Sequence, residues 1–222
     1  MPYNAWHWFG RYTENILHYL KHLEGTEIDM ISLGQDHFVL SLYENHWKSL
    51  ADKLRNHTKA ALTYSAAFGD EDRQSGFWES LDYVGVLPKF KSKTYVELEV
   101  EVKEYVRTLV YMNKLWKKPI IVMRVASCSN IKNEISQEGL IHAITKAIKH
   151  QPYIAGVFIG DWVGDILYGR KDRDISYSIL HKPAENIVRQ LFGGQFREVE
   201  VPEGDCDYKL NCDCYKTDNY SQ

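Results

Sequence analysis

Short apolar runs that stop abruptly at polar residues alternate with helical stretches along most of the chain, and this alternation constrains the fold class more than any other feature. The sharpest run is Asp29-Met30-Ile31-Ser32-Leu33, which ends in Gly34-Gln35-Asp36-His37. A buried parallel strand delivers polar side chains to the rim of a sheet in this way. A second run, Pro119-Ile120-Ile121-Val122-Met123-Arg124-Val125, is β-branched, continuously apolar and too short for a helix, and it carries Arg124 near its C-terminal end. Asp36 and Arg124 are therefore the two rim residues on which any chemistry turns.

The segments between such runs have helical period. Tyr12, Ile16, Tyr19, Leu20 and Leu23 recur at helical spacing between Phe9 and Glu24, with Gly25 placed as a C-terminal cap. A helix from Glu44 to Asn56 should bury Trp47, Leu50 and Leu54. A strand, Ala61 to Ala66, and a polar loop, Gly69 to Gly76, come next. Then follow a short helical turn at Phe77–Leu81 and a strand, Tyr83 to Leu87, stopped by Pro88. Tyr95 to Trp116 reads as a long amphipathic helix with Val102, Tyr105, Val106, Leu109 and Met112 on one face. Leu140, Ile141, Ile144 and Ile148 mark another helix, ended before Pro152. Ala155-Gly156-Val157-Phe158-Ile159 is a further strand closing on Gly160-Asp161-Trp162, and a last helix spans Ala184–Phe192. Five strands separated by helices imply parallel strands with right-handed crossovers.

Composition narrows the function classes. The 222 residues are 44% hydrophobic and 26% charged, with a net charge of -3, which leaves no basic footprint for a phosphate backbone. Nucleic acid is not expected as a partner. No run is long enough to span a membrane and the first residues lack the apolar core of a signal peptide, so a soluble chain is expected; the N-x-S/T sequons at Asn56 and Asn219 are compatible with a secreted ancestor. Cys206, Cys212 and Cys214 lie in an acidic tail, residues 201–222, without paired C-x-x-C spacing, and neither a metal nor a cofactor is expected. Cys128 and His142 have no spacing that supports a nucleophilic dyad.

Rim carboxylates on parallel strands fit an open doubly wound sheet or a (β/α)8 barrel. An open sheet of the nucleotide-binding kind predicts a phosphate loop, and neither G-x-G-x-x-G nor G-x-x-x-x-G-K-[ST] occurs here. The barrel is favoured by elimination.

The residues between Trp8 and Phe192 resemble, in order, the C-terminal half of glycoside hydrolase family 113, the β-mannanase-like barrels. Trp8-Phe9, Tyr12, His18-Tyr19 and Asp29 through Asp36 are similar to the fourth-strand region of that family, Leu62 to Ala67 to the fifth strand, and Phe77-Trp78 with Leu81 to Val86 to the sixth. Lys118-Pro119 through Val125 resembles the seventh, Ala155 to Ile159 with Trp162 the eighth, and Lys182-Pro183-Ala184-Glu185 the start of the closing helix. The resemblance implies residues 1–200 as a barrel portion beginning at strand four, with the first three strands missing and two sheet edges left to be covered by a partner, by self-association or by the chain's own termini.

It also implies a retaining glycosidase site with the acid/base glutamate at the end of the fourth strand and the nucleophile glutamate at the end of the seventh. Retaining chemistry needs two carboxyls about 5–5.5 Å apart. The positions that match hold Asp36 and Arg124. A guanidinium has no lone pair to offer and repels a developing oxocarbenium ion, and Asp36 is one methylene shorter than glutamate. Ala126-Ser127 stand where the family usually shows glycine and tyrosine, and Phe68 where it has asparagine or tryptophan.

A degenerate glycosidase is therefore expected, one that at most binds a β-linked oligosaccharide or a protein partner. In such a site Tyr64, Phe68, Asp161 and Trp162 would contact substrate, Tyr64 and Trp162 by stacking on sugar rings; the alternatives are that Tyr64 and Trp162 pack against loop residues and that Asp161 caps the next helix or turn. Asp36 and Arg124 would either pair with each other or each find a local partner. The rival is an active β-mannanase-like hydrolase with Asp36 as acid/base and water or Asp161 supplying the second carboxylate. His37 is a candidate proton carrier beside Asp36.

Overall fold

The alternation read in the sequence is realised almost element by element in the computed structural model, which describes residues 4–69, 76–127, 135–160, 178–180 and 182–196. The order is α1 (Ala5–His22), β1 (Met30–Gln35), α2 (Phe38–Ser41), α3 (Glu44–Arg55), β2 (Ala61–Ala67), a 3-10 turn (Phe77–Ser80) and β3 (Val84–Leu87). It continues with α4 (Tyr95–Trp116), β4 (Ile120–Val125), α5 (Gln137–Ile148), β5 (Ile154–Ile159) and α6 (Pro183–Leu191). The tail 201–222, with Cys206, Cys212 and Cys214, lies outside the described residues, as do Asp70–Ser75 and Cys128.

The strands form a five-stranded sheet in the order β1-β2-β3-β4-β5. Parallel pairing is explicit for the first three neighbours: Ile31 lies opposite Leu62, Ala66 opposite Val86, and Val86 opposite Val122. Every residue of β2 from Leu62 to Ala67 is buried, as expected for an inner strand covered on both faces. The outer strand β5 mixes exposed and half-buried positions, and β1 does so around the buried Leu33. This is an α/β fold of the barrel type.

The described residues fall into two compact units. The first takes in residues up to Lys89 with Arg107–Met123 and Pro152–Gly156; the second takes in Phe90–Val106, Arg124–Gln151 and the described residues from Val157 onward.

In the first unit, α1 starts at Asn4, whose side-chain oxygen accepts the His7 N–H at 3.1 Å, and ends with the cation Lys21 near the negative end of its dipole. Helix α3 buries Trp47, Leu50, Ala51 and Leu54, one stripe at helical period. These side chains join Leu33, Leu62, Tyr64, Phe77 and Trp78, all 1% exposed or less, to form its core. Burying a large side chain of this kind contributes about 1.5–3 kcal/mol.

In the second unit, α5 packs on α6. Ser136 caps α5 by accepting the Gly139 N–H at 3.0 Å, and Ile141, Ile144 and Ile148 form its buried stripe. Pro183 opens α6, where its missing N–H costs nothing. Glu185 is fully buried and accepts from Arg189 Nε at 2.9 Å, an ion pair that satisfies a carboxylate otherwise too costly to bury. The Gln137 amide ties two loops to α5, donating to the Ser127 carbonyl at 2.7 Å and the Ser178 carbonyl at 3.3 Å.

Candidate functional site

Strand β1 does not run out straight. Its register with β2 shifts between Ser32 and Gln35, and the residue after it, Asp36, takes a left-handed conformation with φ +51°. Non-glycine residues adopt that region rarely and at a cost; aspartate tolerates it better than most. Two backbone bonds hold the kink. The Asp36 N–H donates to the Ser65 carbonyl at 3.1 Å, and the His37 N–H donates to the Tyr64 hydroxyl at 3.0 Å. The Asp36 carboxylate, more than a third exposed, accepts from Lys89 Nζ at 3.2 Å. Asp36 thus has a local ionic partner.

A group of rings supports this strand end from below. Trp8 and Tyr12, one turn apart on α1, stack at 4.6 Å, and the Tyr12 hydroxyl donates to the Leu33 carbonyl at 2.7 Å. The His37 ring lies nearly parallel to Trp47 at 6.2 Å and edge-on to Trp8 at 5.7 Å. Trp47 in turn donates its indole N–H to the Leu40 carbonyl at 2.9 Å, which fixes α2. The rings come so close that a side chain at Gly34 has no room: a Cβ there would sit 3.0 Å from both Trp47 and Tyr64 and 3.1 Å from His37. Burial lowers the His37 pKa below its ordinary value and the nearby Asp36 charge opposes that, so His37 tends toward the neutral imidazole. Burial likewise raises the Tyr12 hydroxyl.

The Tyr64 ring is packed among other rings. A sugar-stacking ring must offer a face to solvent, and Tyr64 has no exposed surface. Trp47 lies edge-on to it at 5.0 Å and Phe77 at 5.2 Å, and its hydroxyl is turned to the His37 backbone. The residue supports the loop that carries Asp36. Phe68, which follows β2, is half-buried and donates its N–H to the Leu87 carbonyl at 3.0 Å. Asp161 and Trp162 lie outside the described residues.

Arg124 occupies the other strand end singled out by the sequence. It is the exposed, next-to-last residue of β4 and it too is left-handed, with φ +45°. Its aliphatic stem runs across Gly160, where a Cβ would lie 3.1 Å from Arg124 Cγ. The Gly160 N–H donates to the Val125 carbonyl at 3.1 Å, which holds that crossing in place.

Sequence reasoning found the two strand ends and missed their supports. Nothing in the sequence links Asp36 to Lys89, 53 positions away. The Trp8/Tyr12 pair at helical spacing was a signal for an aromatic shelf, and α2, a single turn, carries too few residues to show a period. Among the described residues, no group of three or more His, Cys, Asp or Glu side chains could hold a metal ion, and no helix is long and apolar enough to cross a membrane.

Comparison with known proteins agrees with this architecture. The chain is similar to the GH113 β-mannanase AaManA from Alicyclobacillus acidocaldarius in complex with ManMIm. The TM-score is 0.70 at 20% identity, over 84% of this chain and 62% of that one. It is similar to a second GH113 β-1,4-mannanase complex with TM-score 0.68 at 19% identity, over 85% of this chain and 63% of that one. A Faecalibacterium prausnitzii β-glucuronidase shares the fold more remotely, with TM-score 0.66 at 11% identity, over 88% of this chain and 36% of that one. The chain therefore spans slightly less than two thirds of the mannanase chains. No curated protein matches it. The family model of Glycoside Hydrolase Family 113 matches residues 2–182, and the chain belongs to that family.

Proposed function

We propose that this family member has lost retaining glycosidase chemistry and keeps a binding function, for a β-linked oligosaccharide or for a protein partner, at the rim that carries Asp36. One observation carries the reading: the residue at the strand end where the resemblance expects a nucleophilic carboxylate is Arg124, an exposed arginine. Formation of a glycosyl-enzyme needs an oxygen lone pair at that point, and a guanidinium supplies only donors and a positive charge. The Asp36–Lys89 pair adds to it. An acid/base group must be free to meet the leaving oxygen, whereas this carboxylate is held against an ammonium at 3.2 Å. A shortfall of about 1 Å in placement costs on the order of 100-fold in rate, so the missing methylene of Asp36 matters as well.

The test is reducing-sugar release from β-1,4-mannan and manno-oligosaccharides by the chain, by Asp36→Ala and by the double variant Asp36→Glu/Arg124→Glu, beside retardation of each in a mannan-containing gel. The native chain should release no sugar yet be retarded by mannan if its ligand is saccharide. Release by the native chain that disappears in Asp36→Ala would overturn the proposal and make Asp36 a working acid in an active hydrolase.

A further inference from the structure

Helix α1 carries two histidines one turn apart near its C-terminal end. His18 and His22 are both exposed, and their Nε2 atoms converge to 3.1 Å, with ring centroids 4.5 Å apart and planes at 81°. Residues at i and i+4 are neighbours on a helix surface, but their side chains need not point at one spot. Here they do. Without a third party, the convergence is satisfied by one Nε2–H donating to the other ring's lone pair, which uses one tautomer of each ring.

The same convergence is the bite of a chelate. Transition-metal ions bind imidazole nitrogen at about 2.0–2.1 Å, and two such bonds ending 3.1 Å apart subtend about 98° at the metal. That angle lies between the square-planar and tetrahedral values that Cu(II) and Zn(II) favour. The position on the helix helps independently. His22 is the last residue of α1, at the negative end of the helix dipole, which favours a cation.

We propose that His18 and His22 form a bidentate site for a divalent first-row transition-metal ion of the copper or zinc class, with water completing the coordination shell. Two protein ligands make this a site of modest affinity and open coordination, compatible with the lack of any cluster of three or more ligand side chains among the described residues. Both ligands belong to the last two turns of α1, so a bound ion clamps that end of the helix.

Cu(II), the strongest binder of the divalent series, is the probe. Titrated into the full chain and followed by calorimetry and electron paramagnetic resonance, it should show a site with two nitrogen ligands. His18→Gln and His22→Gln should each weaken that site by roughly 100-fold, because each removes the partner that makes the second bond intramolecular. Both substitutions are on the helix surface, and unchanged far-UV circular dichroism checks that the fold is kept. Equal affinity and an equal spectrum in the His18→Gln/His22→Gln double variant would overturn the proposal by placing the ion elsewhere, and so would the lack of any two-nitrogen signal in the native chain.

Discussion

The ends of β1 and β4 use the same backbone device and surround it differently. Each places a non-glycine residue in the left-handed region, Asp36 with φ +51° and Arg124 with φ +45°. Strained positions of this kind persist only where the surroundings determine them, and they cluster at functional sites. Around Asp36 the determination is rigid: Trp47, Tyr64 and His37 leave no space above Gly34, and two backbone bonds lock the turn. Around Arg124 it is the arginine's own flexible stem that lies over Gly160. The difference teaches that two strand ends can share a backbone geometry while carrying opposite side-chain charges, because the two features are maintained by different neighbours. At β1 the aromatic shelf holds the turn whether or not the carboxylate is used.

Two glycine substitutions probe that contrast most strongly. Gly34→Ala forces a Cβ to 3.0 Å from two buried rings that have nowhere to move, and should cost about 1–3 kcal/mol of stability. Gly160→Ala brings a Cβ to 3.1 Å from the unbranched stem of the exposed Arg124 rather than from buried rings, and should cost less, under about 1 kcal/mol. Urea denaturation of the two variants measures both. Equal costs would break the comparison, since the end of β4 would then be as tightly determined as that of β1.

A smaller effect sharpens the shared half of the comparison. At a left-handed position glycine escapes the clash that any Cβ makes, so Arg124→Gly should be about 1 kcal/mol more stable than Arg124→Ala, with both lacking the guanidinium. Asp36→Gly should exceed Asp36→Ala by a similar margin. If the glycine advantage is found at one strand end only, the two ends do not share the device, and the backbone at the other is free to relax.

Most of the fold was legible in the sequence because its signals are periodic and local. The helix expected over Tyr95 to Trp116 has those bounds, and Trp47, Leu50 and Leu54 are the buried stripe of α3 as their spacing requires. Strand boundaries moved by a residue or two, as at β1, which runs on to Gln35 and pairs there with Ser65 of β2 after a register shift. The candidate site was legible only as a pair of strand ends. Whether the Tyr64 ring stacks on a ligand or packs was not legible, because alternation marks a residue as belonging to a strand but does not say whether its ring is covered. That depends on Trp47 and Phe77, which arrive from separate elements. Lys89 was invisible for the same reason: an ion pair across 53 residues leaves no local pattern.

The weakest expected effect tests whether the ring shelf below Asp36 is felt in solution. Burial lowers the His37 pKa below 6.5, while the Asp36 charge partly opposes the shift. With the folded value below the unfolded one, the unfolded chain binds more protons between the two, so stability must fall as the pH drops through about 6.5 and level off below the folded pKa. The contribution is fully present only above the unfolded value. His37→Phe keeps a ring beside Trp47 and the backbone bond to Tyr64 but cannot titrate. Thermal unfolding of the two proteins from pH 8 to 5 should therefore diverge on the acid side, with the native chain losing stability faster. Parallel profiles would mean that His37 is as well solvated folded as unfolded, and the packing that separates the β1 end from the β4 end would be looser than its ring distances indicate.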